Sequence, residues 1–131
     1  MESRRYRAPR RAEQAAATRA AIIDAAGALF VERGFAATTM AAIAERARVT
    51  AKSVYSLADK AHLLLLVVDR AIVGDDVPEA LLDRPGVRAM LDGPDAAAVI
   101  DAAAGQGAPM LIRLYPVYRV FEQAAAADPA V

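Results

Sequence analysis

Residues 38–60, TTMAAIAERARVTAKSVYSLADK, leave few folds open. Thr38 and Thr39 are helix-capping residues, and Met40, Ile43, Ala44 and Ala47 follow at spacings of three and four, the signature of one buried helical face. Three residues after Ala47, Thr50 offers a second cap. The short helix it opens turns Val54 and Leu57 inward and leaves Lys52, Ser53, Tyr55 and Ser56 outward. Asp59 then caps a third helix. Two short helices joined by so tight a turn form a helix-turn-helix, and an outward face of small, cationic and hydroxyl side chains suits a DNA major groove.

The rest of the chain is read as all-α. Its 131 residues are 56% hydrophobic, rich in alanine and leucine, with only 5% aromatic residues. That composition favours helices over strands. The best uninterrupted apolar run, residues 63–68, is too short to span a bilayer, and the basic N-terminus lacks the apolar core of a signal peptide. With no cysteine, disulfides, thiolate metal sites and cysteine nucleophiles are excluded. The expectation is a soluble, cytoplasmic protein with no membrane partner.

Catalysis finds little support in the sequence. The one histidine, His62, follows Asp59 by three residues at a helix start, a pairing of helix-terminus chemistry rather than an acid–base dyad. No glycine-rich phosphate loop and no His/Cys/carboxylate metal set is present, and Asp75–Asp76 lacks further ligands at calcium-loop spacing. No enzyme activity, cofactor or metal is expected.

A net charge of zero conceals a division. Residues 1–60 carry eleven Lys and Arg against six Asp and Glu, a net of +5; residues 61–131 carry five Arg against ten acids, a net of −5. One half is suited to a polyanion while the other is not. Residues 1–11, with five arginines, a proline and no apolar period, read as a basic flexible arm, able to follow a DNA backbone or enter a minor groove, with a solubilising disordered tail as the equal alternative. Residues 12–58 read as the helix-turn-helix domain, opening with a helix over residues 12–32. Gly34 stands where a left-handed C-cap is wanted, with Phe35 folding back on the helix end.

Residues 59–131 read as a connecting helix followed by a partial helical regulatory domain. The connecting helix, residues 60–73, is apolar on nearly every side and needs neighbours on more than one face. Gly74, Asp75 and Asp76 end it; Pro78 opens a short helix through Leu82, and another lies around residues 87–91. A long helix begins at Pro94–Asp95, and Pro116 is expected to kink or end it before a last helix over residues 117–127.

In order and spacing, Thr18-Arg19-Ala20-Ala21-Ile22-Ile23-Asp24-Ala25-Ala26, Leu29-Phe30-Val31-Glu32-Arg33-Gly34-Phe35, Thr38-Thr39-Met40, Ile43-Ala44, Ala47-Arg48-Val49-Thr50, Val54-Tyr55 and Asp59-Lys60 resemble the TetR family of bacterial transcriptional regulators. The resemblance covers about residues 18–72. It has two departures. Many family members carry glycine where this chain has Arg48, at a position that often takes a left-handed backbone. The family's Tyr-x-x-Phe step before the lysine is one residue shorter here, with Leu57 in place of the aromatic.

The resemblance implies a sequence-specific DNA-binding regulator, usually a repressor of a double-stranded operator that a ligand releases. It places residues 50–56 in the major groove, with Thr50, Lys52, Ser53, Tyr55 and Ser56 facing the bases or phosphates, and Thr38, Thr39, Arg48 and Lys60 at phosphates. Past residue 74 it implies a pocket for a small apolar ligand, for which Met110, Leu114, Tyr115, Tyr118 and Phe121 are the candidates; a helical core stripe is the competing reading of the same residues. Family members form homodimers through two further long helices. This chain ends after what reads as its seventh or eighth helix, so a fragment or shortened product without that interface is expected. The rival to a regulator is a helical protein–protein interaction module, served by the apolar connecting helix and the acidic second half.

Overall fold

The computed structural model describes residues 2–77, 79–129 and 131, with side chains from residue 8 onward. Among these the chain forms six α-helices and one 3-10 turn: α1 (Glu2–Arg33), α2 (Met40–Ala47), α3 (Ala51–Leu57), α4 (Lys60–Val73), the 3-10 turn Leu81–Asp83, α5 (Pro85–Leu91) and α6 (Ala96–Ala127). That is fewer elements than the seven or eight helices expected. Pro78, expected to open a helix, lies outside the described residues; the 3-10 turn follows it.

Helix α1 starts ten residues before the predicted residue 12 and so takes in residues expected as a flexible arm. Arg, Glu and Ala, all strong helix formers, carry it, and Pro9 deletes one backbone hydrogen bond near the helix start. The side chains of Arg4, Arg5 and Arg7 lie outside the described ones. The segment Ala8–Arg33 is long and apolar enough to cross a membrane by length and composition, but its apolar stripe is core. Ile22, Ile23, Ala26, Leu29 and Phe30 are buried against the helices that follow.

Two glycines end helices as the sequence requires. Gly34, at φ 82°, closes α1 with its N–H on the Phe30 carbonyl at 2.9 Å, and the Phe35 ring returns to lie 5.6 Å from the Phe30 ring. Gly74, at φ 93°, closes α4 in the same left-handed conformation.

Helix α4 is the shared wall of the molecule, packing on α1 from one side and on α6 from the other. Its Leu63, Leu64, Val67 and Ala71 are buried, while Leu65 and Ile72 stay exposed, so its cover is incomplete. Helix α6 does not end at Pro116. It runs unbroken through Pro109 and Pro116, because Val117, Val120 and Ala124 bury one face just beyond the second proline. Each interior proline costs about 3 kcal/mol through its missing N–H and its ring's clash with the preceding turn, and burial of Val117 and Val120, about 1.5–3 kcal/mol each, offsets that cost at Pro116. These side chains join Ile22, Leu29, Phe30, Ile43, Val54, Leu63 and Leu64 in one core.

Candidate nucleic-acid interface

The turn between α2 and α3 is built by caps. Thr39, with extended backbone, accepts the Ala42 N–H at 3.1 Å and opens α2. At the other end Arg48 adopts φ 57°, ψ 41°, the left-handed conformation expected of a glycine there. Its N–H donates to the Glu45 carbonyl at 3.1 Å, and the Val49 N–H reaches back to the Ala44 carbonyl at 3.0 Å, the paired bonds of a Schellman motif. Val49 packs against the core beside them. Thr50 follows at once as N-cap of α3, accepting the Ser53 N–H at 3.1 Å.

Helix α3 is held by little. Val54 is fully buried and Leu57 half-buried, and these two fix which side turns away. Lys52, Tyr55 and Ser56, at spacings of three and four, share the opposite side and are exposed; Tyr55 retains 63% of its surface. The extended face therefore carries an ammonium, a phenol and a hydroxyl. Ser53 is half-buried, and its hydroxyl sits 2.9 Å from that of Thr50, so it belongs first to the cap.

Thr38 is placed differently from the expectation. It is only 1% exposed, and its hydroxyl is directed at the Gly34 carbonyl at 2.7 Å and the Leu29 carbonyl at 3.2 Å. It locks the end of α1 and is out of reach of a phosphate. Lys60 is also occupied. Its Nζ donates to the Phe35 carbonyl at 3.0 Å and lies 4.4 Å above the centre of the Phe35 ring, a cation–π contact tying α4 to the end of α1. Asp59 accepts the His62 N–H at 2.8 Å and meets His62 Nδ1 at 2.9 Å. The backbone bond first, then the ring bond, holds the Asp59 carboxyl below its usual range.

Beside α3 the head has a feature that the sequence reading missed. Arg11, Gln14, Thr18 and Arg19 of α1 face Ser53 and Ser56 across a cleft of about 470 Å³. Residues 11, 14, 18 and 22 recur at helical spacing, a signal that was present but masked by the apolar stripe of the same helix.

The residues expected to form a ligand pocket do not enclose one. Leu111, Ile112, Leu114, Tyr115 and Tyr118 line a shallow groove along α6 itself, with Tyr115 67% and Tyr118 46% exposed. Leu114 and Phe121 pack partly on the core, and Met110 is half-buried. On one helix, residues spaced three and four apart share a surface but cannot surround a volume without a facing element.

Residues 22–65, from the buried stripe of α1 into α4, match the family model for bacterial regulatory proteins of the tetR family. No curated protein and no solved structure matches the chain. The matched stretch contains the capped α2–turn–α3 unit together with parts of the two helices that hold it. Residues 22–65 are therefore similar to the helix-turn-helix DNA-binding domain of bacterial regulatory proteins of the tetR family.

Proposed function

We propose that α3 enters the major groove of a specific duplex operator and that the bound protein represses transcription from it. The observation that carries this reading is the side of α3 opposite Val54, where Lys52, Tyr55 and Ser56 are exposed together. Lys52 suits guanine O6 and N7, and the Tyr55 and Ser56 hydroxyls suit bases or phosphates. Thr39 and Arg48, both exposed, flank α3 at phosphate positions, and Thr50 and Ser53 act mainly as the cap that orients it. The protein acts in the bacterial cytoplasm, at the nucleoid.

Relief by a small apolar ligand is the finer part of the proposal. It is supported by α4, which packs on both α1 and α6, and by the Arg113 Nε–H that α6 donates to the Ala71 carbonyl at 3.2 Å. A ligand seated on the α6 groove beside Leu114 and Tyr118 displaces α6 against α4, and α4 carries the shift to the head. The family's homodimer belongs to the same proposal: a dimer in light scattering gives two heads on paired half-sites, a monomer one head on one half-site.

Replacing Lys52 and Tyr55 by alanine tests the central claim. Operator affinity falls by at least tenfold while the helical circular dichroism stays unchanged; undiminished binding removes α3 as the reading element. The exposed apolar residues of α6 favour a second reading, a protein–protein interaction module. Salt titration separates the two, since several phosphate contacts give a steep loss of duplex affinity with salt.

A further inference from the structure

The cleft between α1 and α3 is a second place on the head where cationic and hydrogen-bonding groups converge. Arg11, Gln14, Thr18 and Arg19 line it from one wall and Ser53 and Ser56 from the other, over Ala15, Ile22 and Leu57. Among the described residues no carboxylate lines it. Elsewhere arginines are neutralised in place: Arg46 by Glu32, Arg70 by Asp24 and Asp76, Arg84 by Asp75, and Arg88 by Asp83. Arg11 and Arg19 have no such carboxylate partner among the described residues. Arg19 also borders a neighbouring cleft lined by Asp69, Asp75, Asp76 and Glu79 but forms no ion pair there. Two cations without an ion-pair partner, beside four side chains able to donate hydrogen bonds, form a seat for an anion.

The position of the cleft identifies the anion. Ser56 belongs both to its wall and to the exposed side of α3 with Lys52 and Tyr55. When a recognition helix lies in the major groove, the elements beside it meet the sugar–phosphate strands bordering that groove. We infer that the cleft seats a backbone phosphate of the strand flanking the groove that α3 occupies, with Arg11 and Arg19 supplying charge and Gln14, Thr18 and Ser56 supplying directed donors. The inference rests on the proposed role of α3 and extends the footprint onto a helix outside the helix-turn-helix. The walls are set in advance, because Ile22 is 1% exposed and Leu57 packs on the same core. The phosphate seat fixes the register of the head on the duplex and carries no base information.

Its test uses the full chain, a selected operator duplex and a scrambled duplex of equal length, each titrated with salt. The Arg11→Gln/Arg19→Gln double variant keeps the wild-type circular dichroism. Its plot of log affinity against log salt is shallower by about 0.9, the value expected when one phosphate is no longer neutralised. Affinity falls by the same factor on both duplexes, so their ratio is unchanged. Thr18→Val, which removes the donor at constant shape, lowers affinity on both duplexes without changing the slope, and Arg88→Gln on α5 changes neither. An unchanged slope in the double variant overturns the inference, as does an equal change in Arg88→Gln. A collapse of the operator-to-scrambled ratio also overturns it, by making these residues base readers. The α3 reading fails separately, if Lys52→Ala and Tyr55→Ala leave discrimination between the two duplexes intact.

Discussion

Arg48 is the place where the sequence and the backbone disagree most sharply, and replacing it by glycine measures the disagreement. Its φ of 57° puts an L side chain in the left-handed region, at a cost of roughly 1–2 kcal/mol. Glycine removes that strain but loses more conformational freedom on folding, roughly 0.5–1 kcal/mol. The Arg48 side chain is exposed, so its removal costs no packing, and the N–H bonds to Ala44 and Glu45 belong to the backbone and survive. Arg48→Gly should therefore stabilise the protein by about 0.5–1 kcal/mol, raising the melting temperature by roughly 3–6 °C for a head of this size. Thermal unfolding followed by circular dichroism reads the shift. Duplex binding moves the opposite way: on the proposal that Arg48 meets a phosphate, losing its charge makes the salt dependence shallower by about 0.9. Arg48→Asn, which tolerates the left-handed region but carries no charge, should share the weaker binding with a smaller stability gain. A melting temperature that stays level or drops in Arg48→Gly would refute the strain argument.

Thr38→Val keeps the shape of a buried residue but leaves the Gly34 and Leu29 carbonyls without its hydroxyl, so denaturant unfolding should show a loss of about 1–3 kcal/mol, while operator affinity per folded molecule holds. The Asp75 carboxyl is held at about 2, chiefly by the Arg84 guanidinium and then by the Val77 N–H. Because its folded value lies below its unfolded one, the stabilisation is complete above about pH 4 and is lost as pH falls towards 2. In Arg84→Gln, NMR titration should find the Asp75 carboxyl risen towards the ordinary carboxylate range, and the acid limb of the stability profile should flatten. Lys60→Met should lower stability by freeing the Phe35 turn, measured as a reduced melting temperature.

What could be read from the sequence was what is decided locally. Thr39, Thr50 and Asp59 cap helices because an oxygen one residue before a helix finds an N–H three residues on, and that rule needs no tertiary knowledge. The inward Val54 and outward Lys52 and Tyr55 follow from helical periodicity alone. Two expectations failed where a remote partner decides. Thr38 is as good a cap by sequence as Thr39, but burial against α1 turned its hydroxyl inward. Pro116 is a helix breaker by rule, and packing of Val117 and Val120 overrode it. The candidate ligand residues of α6 share a stripe that the sequence shows, and the structure makes it an open groove; whether a wall faces that groove is something a single helix's periodicity does not encode. The α1–α3 cleft was missed for the same reason, since it joins residues 11–19 to residues 53–56 across the fold.

The division of charge acquires a physical meaning once partners are assigned. Counterion release depends on cations that can reach phosphates, not on formal totals. In the second half, Arg70, Arg84 and Arg88 are held by carboxylates and Arg113 donates to the Ala71 carbonyl, so most of its positive charge is consumed inside the fold. In the head, Arg46 is paired with Glu32 and Lys60 is occupied by Phe35, whereas Arg11, Arg19, Arg48 and Lys52 form no ion pair with a carboxylate among the described residues. Arg11 and Arg19 lie on the cleft wall facing α3, Arg48 lies in the turn before it, and Lys52 lies on its exposed side. Folding therefore concentrates available positive charge around one short helix and leaves surplus acids on the far half. A duplex meets more available positive charge on the α3 side than on the acidic second half, so the same asymmetry that would attract DNA also favours the face that it meets.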